Sequence, residues 1–420
     1  MSDVGHWVES GERVRSLIPS VHMWALSPDD AWIAWTERQR EREVHVTELS
    51  SWRTVTTLAG GSVVALRWTS PSTLIALRSA QRHATLHAYA IPDGGELSRS
   101  TLADVGFQGG EIDASADGRA MLIGALTRNG WLGAREAVRE VYLVRGEFCD
   151  DVARIDPFDV AGPRSALPGW QGRCALSPDG HGIAVALSPA KPASGASSNE
   201  AEATMTFISL TTRAVRSYAL LEAGNPTHLL WVSPTSVVAA FLDDQWSTGL
   251  HRVDEEGARA LVTRLGRNER LRAGPSLKLH PDRARMLAVV ERATDRQRMN
   301  VRSVAMVVGL PLGGAAQSEI LGLSRDRGPS WRDRSGGACW DGEGRLLTLT
   351  QPRANEAQVS RRDAVLTPPH TLAQFAFPGE TPHALSLSVS PRASLALAAW
   401  RVGLNDVGDT AKRIAIVSLT

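Results

Sequence analysis

The segment "CALSPDGHGIAV", Cys174 to Val185, restates a phrase found 150 residues earlier, "WALSPDDAWIAW", Trp24 to Trp35. Both carry Ala-Leu-Ser-Pro-Asp between two apolar runs. Proline presets φ at the second position of a turn, and Asp or Gly follows where the chain must reverse, so each copy reads as a β-hairpin. Two further copies, "RWTSPSTLIAL" from Arg67 and "LWVSPTSVVAAF" from Leu230, match each other closely. Four more are degenerate: "DASADGRAMLIGAL" from Asp113, "LKLHPDRARMLAVV" from Leu277, "CWDGEGRLLTL" from Cys339 and "LSVSPRASLALAAW" from Leu387.

Taking Pro28, Pro71, Ala116, Pro178, Pro234, Pro281, Gly342 and Pro391 as equivalent points, the repeats are 43 to 62 residues apart. A period of that size with expandable loops points to an array of small sheets. In most units a third β-rich segment follows, such as "EVHVTEL" (43–49), "TLHAYAI" (85–91) or "RIAIVSL" (413–419), and often a fourth, such as "WRTVTTL" (52–58) or "RAVRSYAL" (213–220). Four antiparallel strands per unit, without long amphipathic helical stretches, is the pattern of a β-propeller blade. We therefore expect an all-β chain, a single propeller domain over residues 1–420 with eight blades, seven being the alternative. The last unit offers only three strands, whereas "RVRSLI" (13–18) precedes the first hairpin without belonging to it. Residues 13–18 are expected to close the ring as the outer strand of the last blade and so hide its edge. The tryptophans two residues before Ser-Pro, Trp68 and Trp231, are expected to be buried between blades.

The Ser-Pro-Asp-Gly hairpin phrase resembles the WD40-like repeats of the TolB C-terminal propeller and of the dipeptidyl peptidase IV N-terminal propeller. The resemblance runs over nearly the whole chain and implies the fold more than the function. WD40 proteins proper are not expected, since the GH and WD signatures that punctuate their blades are missing. TolB itself is periplasmic and carries an extra N-terminal domain, neither of which this sequence suggests. Peptidases with such a propeller carry an α/β-hydrolase domain, for which the chain leaves no length.

Composition narrows the function classes. The formal net charge is +1, so nothing global favours nucleic acid. Only three of the 46 basic residues are lysine (Lys191, Lys278 and Lys412), an arginine bias read as that of a GC-rich genome. No apolar run suits a signal peptide or a membrane span, so a cytoplasmic bacterial protein is expected. Cys149, Cys174 and Cys339 are far apart and form no CxxC pair. Cys174 takes the repeat position of Trp24 and reads as a buried core thiol.

No GxSxG, HExxH, P-loop or GxGxxG occurs, and no cofactor is implied. His83 and His87 are four apart and are read as surface residues in a loop leading into a strand, not as a metal pair. A propeller enzyme would gather acids and histidines on its central channel around a divalent cation. Glu111, Asp113, His228 and His280 are the candidates for that alternative, and nothing in their spacing makes them converge.

The longest irregular segments, 78–84, 127–140, 188–204, 291–300, 351–364 and 401–413, with the shorter 37–43, are all placed between second and third strands. Those connections share one face of a propeller, and loops on a rigid ring are where recognition concentrates. The Ala/Ser/Gly-rich 188–204 reads as a flexible insertion, and "ERQRERE" (37–43) as a solvated, self-compensated loop. Trp131, Arg135, Trp246, Arg296, Arg298, Arg361 and Arg362 are the candidate partner-binding residues, since tryptophan and arginine dominate interface anchors. The expected function is a noncatalytic scaffold or recognition subunit whose protein partner presents an acidic surface. The alternatives are a channel-centred metal-dependent hydrolase or lyase, and a nucleic-acid binder gripping through a basic, aromatic rim.

Overall fold

The computed structural model describes residues 8–10, 14–37, 40–80, 83–102, 109–115, 120–127, 137–146, 151–155, 171–188, 203–220, 225–242, 248–266, 269–272, 277–293, 301–310, 318–323, 336–353, 355–377, 382–401 and 412–419. Within them the chain is strand and turn throughout. It forms eight antiparallel four-stranded blades in a ring, an eight-bladed β-propeller. Blade 1 holds the second half of Val14–Leu26, then Trp32–Glu37, Arg40–Glu48 and Thr54–Ala59. Blade 2 holds Ser62–Ser70, Thr73–Ala80, His83–Ala90 and Glu96–Leu102. Blades 3 to 6 follow at 109–155, 171–220, 225–264 and 269–322, blade 7 at 337–376 and blade 8 at 383–418.

The repeated phrase is a five-residue reversal held by its own serine. The Ser27 hydroxyl donates to Asp29 Oδ1 (2.6 Å) and accepts from the amides of Ala31 (3.1 Å) and Trp32 (2.9 Å). Ser177 repeats the pattern with Asp179, His181 and Gly182. Three residues after the serine the backbone turns left-handed, at Asp30 (φ 57°) and Gly180 (φ 73°), and again at Arg283, Gly344 and Ala393 in the degenerate copies. Blades 2 and 5 use a tighter reversal, with Ser70 opposite Thr73 and Ser233 opposite Ser236.

Burial is organised by interface. The described residues fall into eight apolar clusters, one between each pair of neighbouring blades, including Leu395, Leu397, Ile414 and Ile416 against Val21 and Ile33 where blade 8 meets blade 1. Second strands are covered on both faces, which explains their small residues: Ala34, Ala76, Ala184, Ala239, Ala288 and Ala398 are all fully buried. Trp68 and Trp231 are buried as expected. Each indole N–H donates 3.1 Å to the carbonyl of the repeated alanine in the preceding blade, Ala25 and Ala175. The paired phrases of the sequence are therefore two copies of one interface, blade 1 on blade 2 and blade 4 on blade 5. Cys339 is buried, which pushes its thiol up to about 11, whereas Cys174 is only half-buried against the core.

Val14–Leu26 is one strand serving two blades. Val14 to Ile18 pair with the last strand, Lys412–Ser418, while Val21 to Leu26 pair with Trp32–Glu37. Val8–Ser10 additionally pairs with His370–Ala376 as a fifth strand on blade 7, which the sequence did not suggest. Asp30 Oδ2 closes the ring a third time, accepting the Ser390 and Ser394 hydroxyls at 2.6 Å each.

Deleting residues 1–19 removes both added strands and is expected to lower the melting temperature sharply and promote aggregation. Deleting 1–10 alone leaves the blade 8 pairing and should cost far less. Equal melting curves for the two deletions, followed by circular dichroism, would contradict this closure. Trp231→Ala should destabilise by roughly 3–5 kcal/mol, as for other buried aromatics. Trp231→Phe keeps most of the ring and should cost nearer about 1 kcal/mol, the worth of the hydrogen bond to Ala175; urea titration separates the two.

Candidate functional site

Several sequence candidates turn out to tie blades together. Asp113 Oδ2 accepts the Leu176 amide of the next blade at 2.8 Å, and His228 Nε2 bonds the Arg272 carbonyl at 3.0 Å. His280 stands where other hairpins have serine; its Nδ1 accepts from the Asp282 amide and its Nε2 bonds the Gly344 carbonyl of blade 7. Glu111 lies in Gly109–Ala114, and its side chain is outside the described residues. Asp113, His228 and His280 are thus each bonded to a different neighbouring blade. Among the described residues no cluster of three histidine, cysteine or acidic side chains could hold a metal ion.

His83 and His87 both belong to the strand His83–Ala90, contrary to the loop reading. Strand period two puts them on one face, but about 13 Å apart at the usual rise, too far to share an ion. His83 is exposed, whereas His87 is buried. The segment 37–43 is likewise mostly strand, with only 38–39 between Trp32–Glu37 and Arg40–Glu48.

Trp131, Arg135, Trp246, Arg296 and Arg298 lie outside the described residues, in the second-to-third-strand connections of blades 3, 5 and 6. Arg361 and Arg362 need correction. They end the third strand of blade 7, Glu356–Arg362, paired with Leu347 and Leu346, because the segment 351–364 contains that strand. The end of a third strand is on the hairpin face, opposite the connections they were grouped with. Arg361 Nη1 donates to the Leu419 carbonyl at 3.4 Å, and Arg362 donates to the Thr367 carbonyl while burial lowers its basicity.

The site that sequence reasoning missed is a cleft of about 460 Å³ between blades 1 and 2, lined by Thr56, Arg78, Thr85, His87, Glu96 and Arg99 among others. Alternation in Thr73–Ala80 turns Leu74, Ala76 and Arg78 toward blade 1, so a guanidinium occupies a core position at 1% exposure. Its Nη groups donate to the carbonyls of Leu58 (3.0 Å), Gly61 (2.9 Å) and Arg42 (3.1 Å). Its Nε is buried without a hydrogen-bond partner among the described residues. Beside it His87 stacks on Tyr89, takes the Thr85 hydroxyl on Nε2 (2.8 Å) and donates from Nδ1 to Glu96 (3.0 Å). Arg99 grips both Glu96 oxygens at 2.8 and 2.9 Å. Burial lowers the His87 pKa, against the Glu96 carboxylate that raises it.

The twin interface shows what is unusual here. Strand pairing makes Phe241 the counterpart of Arg78 and His251 that of His87, and the outer strand Val215–Leu220 carries Tyr218 where blade 1 has Leu58. There Phe241 packs edge-on against His251 at 6.1 Å, and Tyr218 donates to the Glu255 carbonyl at 2.7 Å, its ring against Gly257. Two bulky rings are thus replaced by a leucine and a cation. The degenerate match of "ALRS" (76–79) to "AAFL" (239–242) is the one signal that was available in the sequence.

No protein-family model matches the chain, and no curated protein matches it in sequence. Solved structures do match. The Dos1 propeller superposes with a TM-score of 0.59 at 10% identity, over 96% of this chain and 95% of that one. The WD40 domain of SCAP from fission yeast gives 0.51 at 8% identity over 98% of each chain, and a eukaryotic initiation factor 0.51 at 10% over 94% and 90%. The likeness is one of fold. Among the described residues no helix is long and apolar enough to cross a membrane.

His87 is expected to titrate below 6.5 by NMR, and Glu96→Gln to lower its midpoint further by removing the partner that favours the imidazolium. Because the native value is depressed, the unfolded chain takes up this proton first. The His87 contribution to stability is therefore lost as pH falls from about 6.5 toward the native midpoint.

Proposed function

We propose that this propeller is a noncatalytic recognition scaffold of the TolB and dipeptidyl peptidase IV propeller type, which docks a protein partner in a larger bacterial assembly. The observation that carries this reading is the inequality of the two faces. Hairpin reversals between first and second strands span two to five residues, whereas the second-to-third connections reach 14 residues at 189–202. The outer strands Asp151–Ile155 and Ser318–Gly322 run toward that same face, with 15 and 14 residues separating them from the next strand at 171 and 337. A rigid ring with variable loops on one side presents a recognition surface without moving parts. Trp131, Trp246, Arg135, Arg296 and Arg298 are the proposed anchors on it, facing an acidic partner surface. The channel-enzyme alternative is disfavoured because Asp113, His228 and His280 spend their polar atoms on neighbouring blades.

The test is quantitative recovery of partners by the tagged full-length chain from its source cells. Replacing Trp131 and Trp246 together with alanine should reduce recovery roughly 30-fold or more, as for loss of anchors worth about 2 kcal/mol, without changing the melting curve. Arg361→Ala, on the hairpin face, should leave it unchanged. Loss on Arg361→Ala with full recovery on the tryptophan double variant would overturn the choice of face.

A further inference from the structure

We propose that the cleft between blades 1 and 2 receives an acidic side chain of the protein partner, its carboxylate held beside Arg78. This rests on the scaffold reading above and names the chemistry that one part of the partner must bring. The argument begins with charge. Of the groups lining the cleft, Arg78 and Arg99 are cationic and Glu96 anionic, and Glu96 is already gripped at both oxygens by Arg99. One positive charge, that of Arg78, is left facing backbone carbonyls and the Tyr89 ring, 5.8 Å from its centroid, with no carboxylate paired to it among the described residues. A buried cation without a counter-charge is costly, and an anion entering the same low-dielectric space is favoured correspondingly.

The ring does not require this cation. The twin interface closes with Phe241 and Tyr218 at the matching positions, so the fold has an apolar solution that blades 1 and 2 do not use. Two substitutions from that solution, to Arg78 and Leu58, open the cleft and charge it. Arg78 also lies two residues from the end of Thr73–Ala80, at the elaborated face where the proposed partner docks. One unbalanced charge suits a carboxylate, whereas a phosphate dianion would meet the Glu96 carboxylate with charge to spare. The Thr56 hydroxyl supplies a polar contact without further charge, while that of Thr57 is bonded to His45 and that of Thr85 to His87.

The probe is N-acetyl-glutamate N-methylamide, titrated into the full-length protein while the His87 ring resonances are followed by NMR, with the capped glutamine analogue, free glutarate and inorganic phosphate in parallel. Capped glutamate should bind and raise the His87 midpoint, and capped glutamine should bind at least tenfold more weakly. Arg78→Phe, which copies blade 5, should abolish the response. Thr56→Tyr keeps the guanidinium with its carbonyl partners and fills the cleft, so unchanged melting with lost binding separates recognition from a purely structural Arg78. Equal binding of glutamate and glutamine, phosphate binding more tightly than either, or binding that survives Thr56→Tyr would overturn the site. If glutarate binds but capped glutamate does not, the cleft takes small acids and the partner assignment fails. If neither binds while partner recovery still depends on Trp131 and Trp246, the scaffold reading stands and the cleft assignment falls.

Discussion

Everything in this molecule depends on one strand belonging to two blades. Val14–Leu26 gives its first half to the end of the chain and its second half to the beginning. No blade buries a core of its own, since the apolar clusters lie between blades. A ring left open would expose both faces of the gap and an unpaired sheet edge, so closure conditions every other interface. The closing contact also explains a departure within the repeated phrase. Gly180 satisfies a left-handed turn at no steric cost, yet the equivalent position in blade 1 is Asp30, which carries the same strained φ because its carboxylate binds Ser390 and Ser394 across the seam.

Between blades the chain uses polar side chains as ties wherever inner strands or hairpins approach. Asp113, His228, His280 and Lys278 each bond backbone groups of the next blade, and Lys278 reaches one blade further as well, bonding the carbonyls of Ala338 in blade 7 and Leu387 in blade 8. These four side chains are thus accounted for by ring cohesion, which is why such residue types mislead a search for a reactive centre. Acids and histidines that serve a channel and those that serve a seam look alike in a linear string.

Internal repetition supplies the control that function otherwise lacks. Interfaces 1–2 and 4–5 share the buried tryptophan, its bond to the repeated alanine and a histidine on the third strand, so their remaining differences are not demanded by the architecture. Those differences concentrate at Leu58 against Tyr218 and Arg78 against Phe241, where packing is exchanged for space and charge.

By itself the sequence determined the eight-fold repetition, the hairpin at each Ser-Pro phrase, the closing strand and the burial of Trp68 and Trp231. These rest on local turn chemistry and period-two patterning, which neighbouring residues carry whatever the chain does elsewhere. Only the tertiary structure decided that Arg361 and Arg362 end a strand on the hairpin face, because the apolar alternation in "EAQVSRR" rests on Ala357 and Val359 alone and runs out before the arginines. It also decided the fifth strand of blade 7 and the cleft at Arg78. Each depends on what a blade tens to hundreds of residues away places opposite, and that partner is fixed by ring geometry, not by adjacency along the chain.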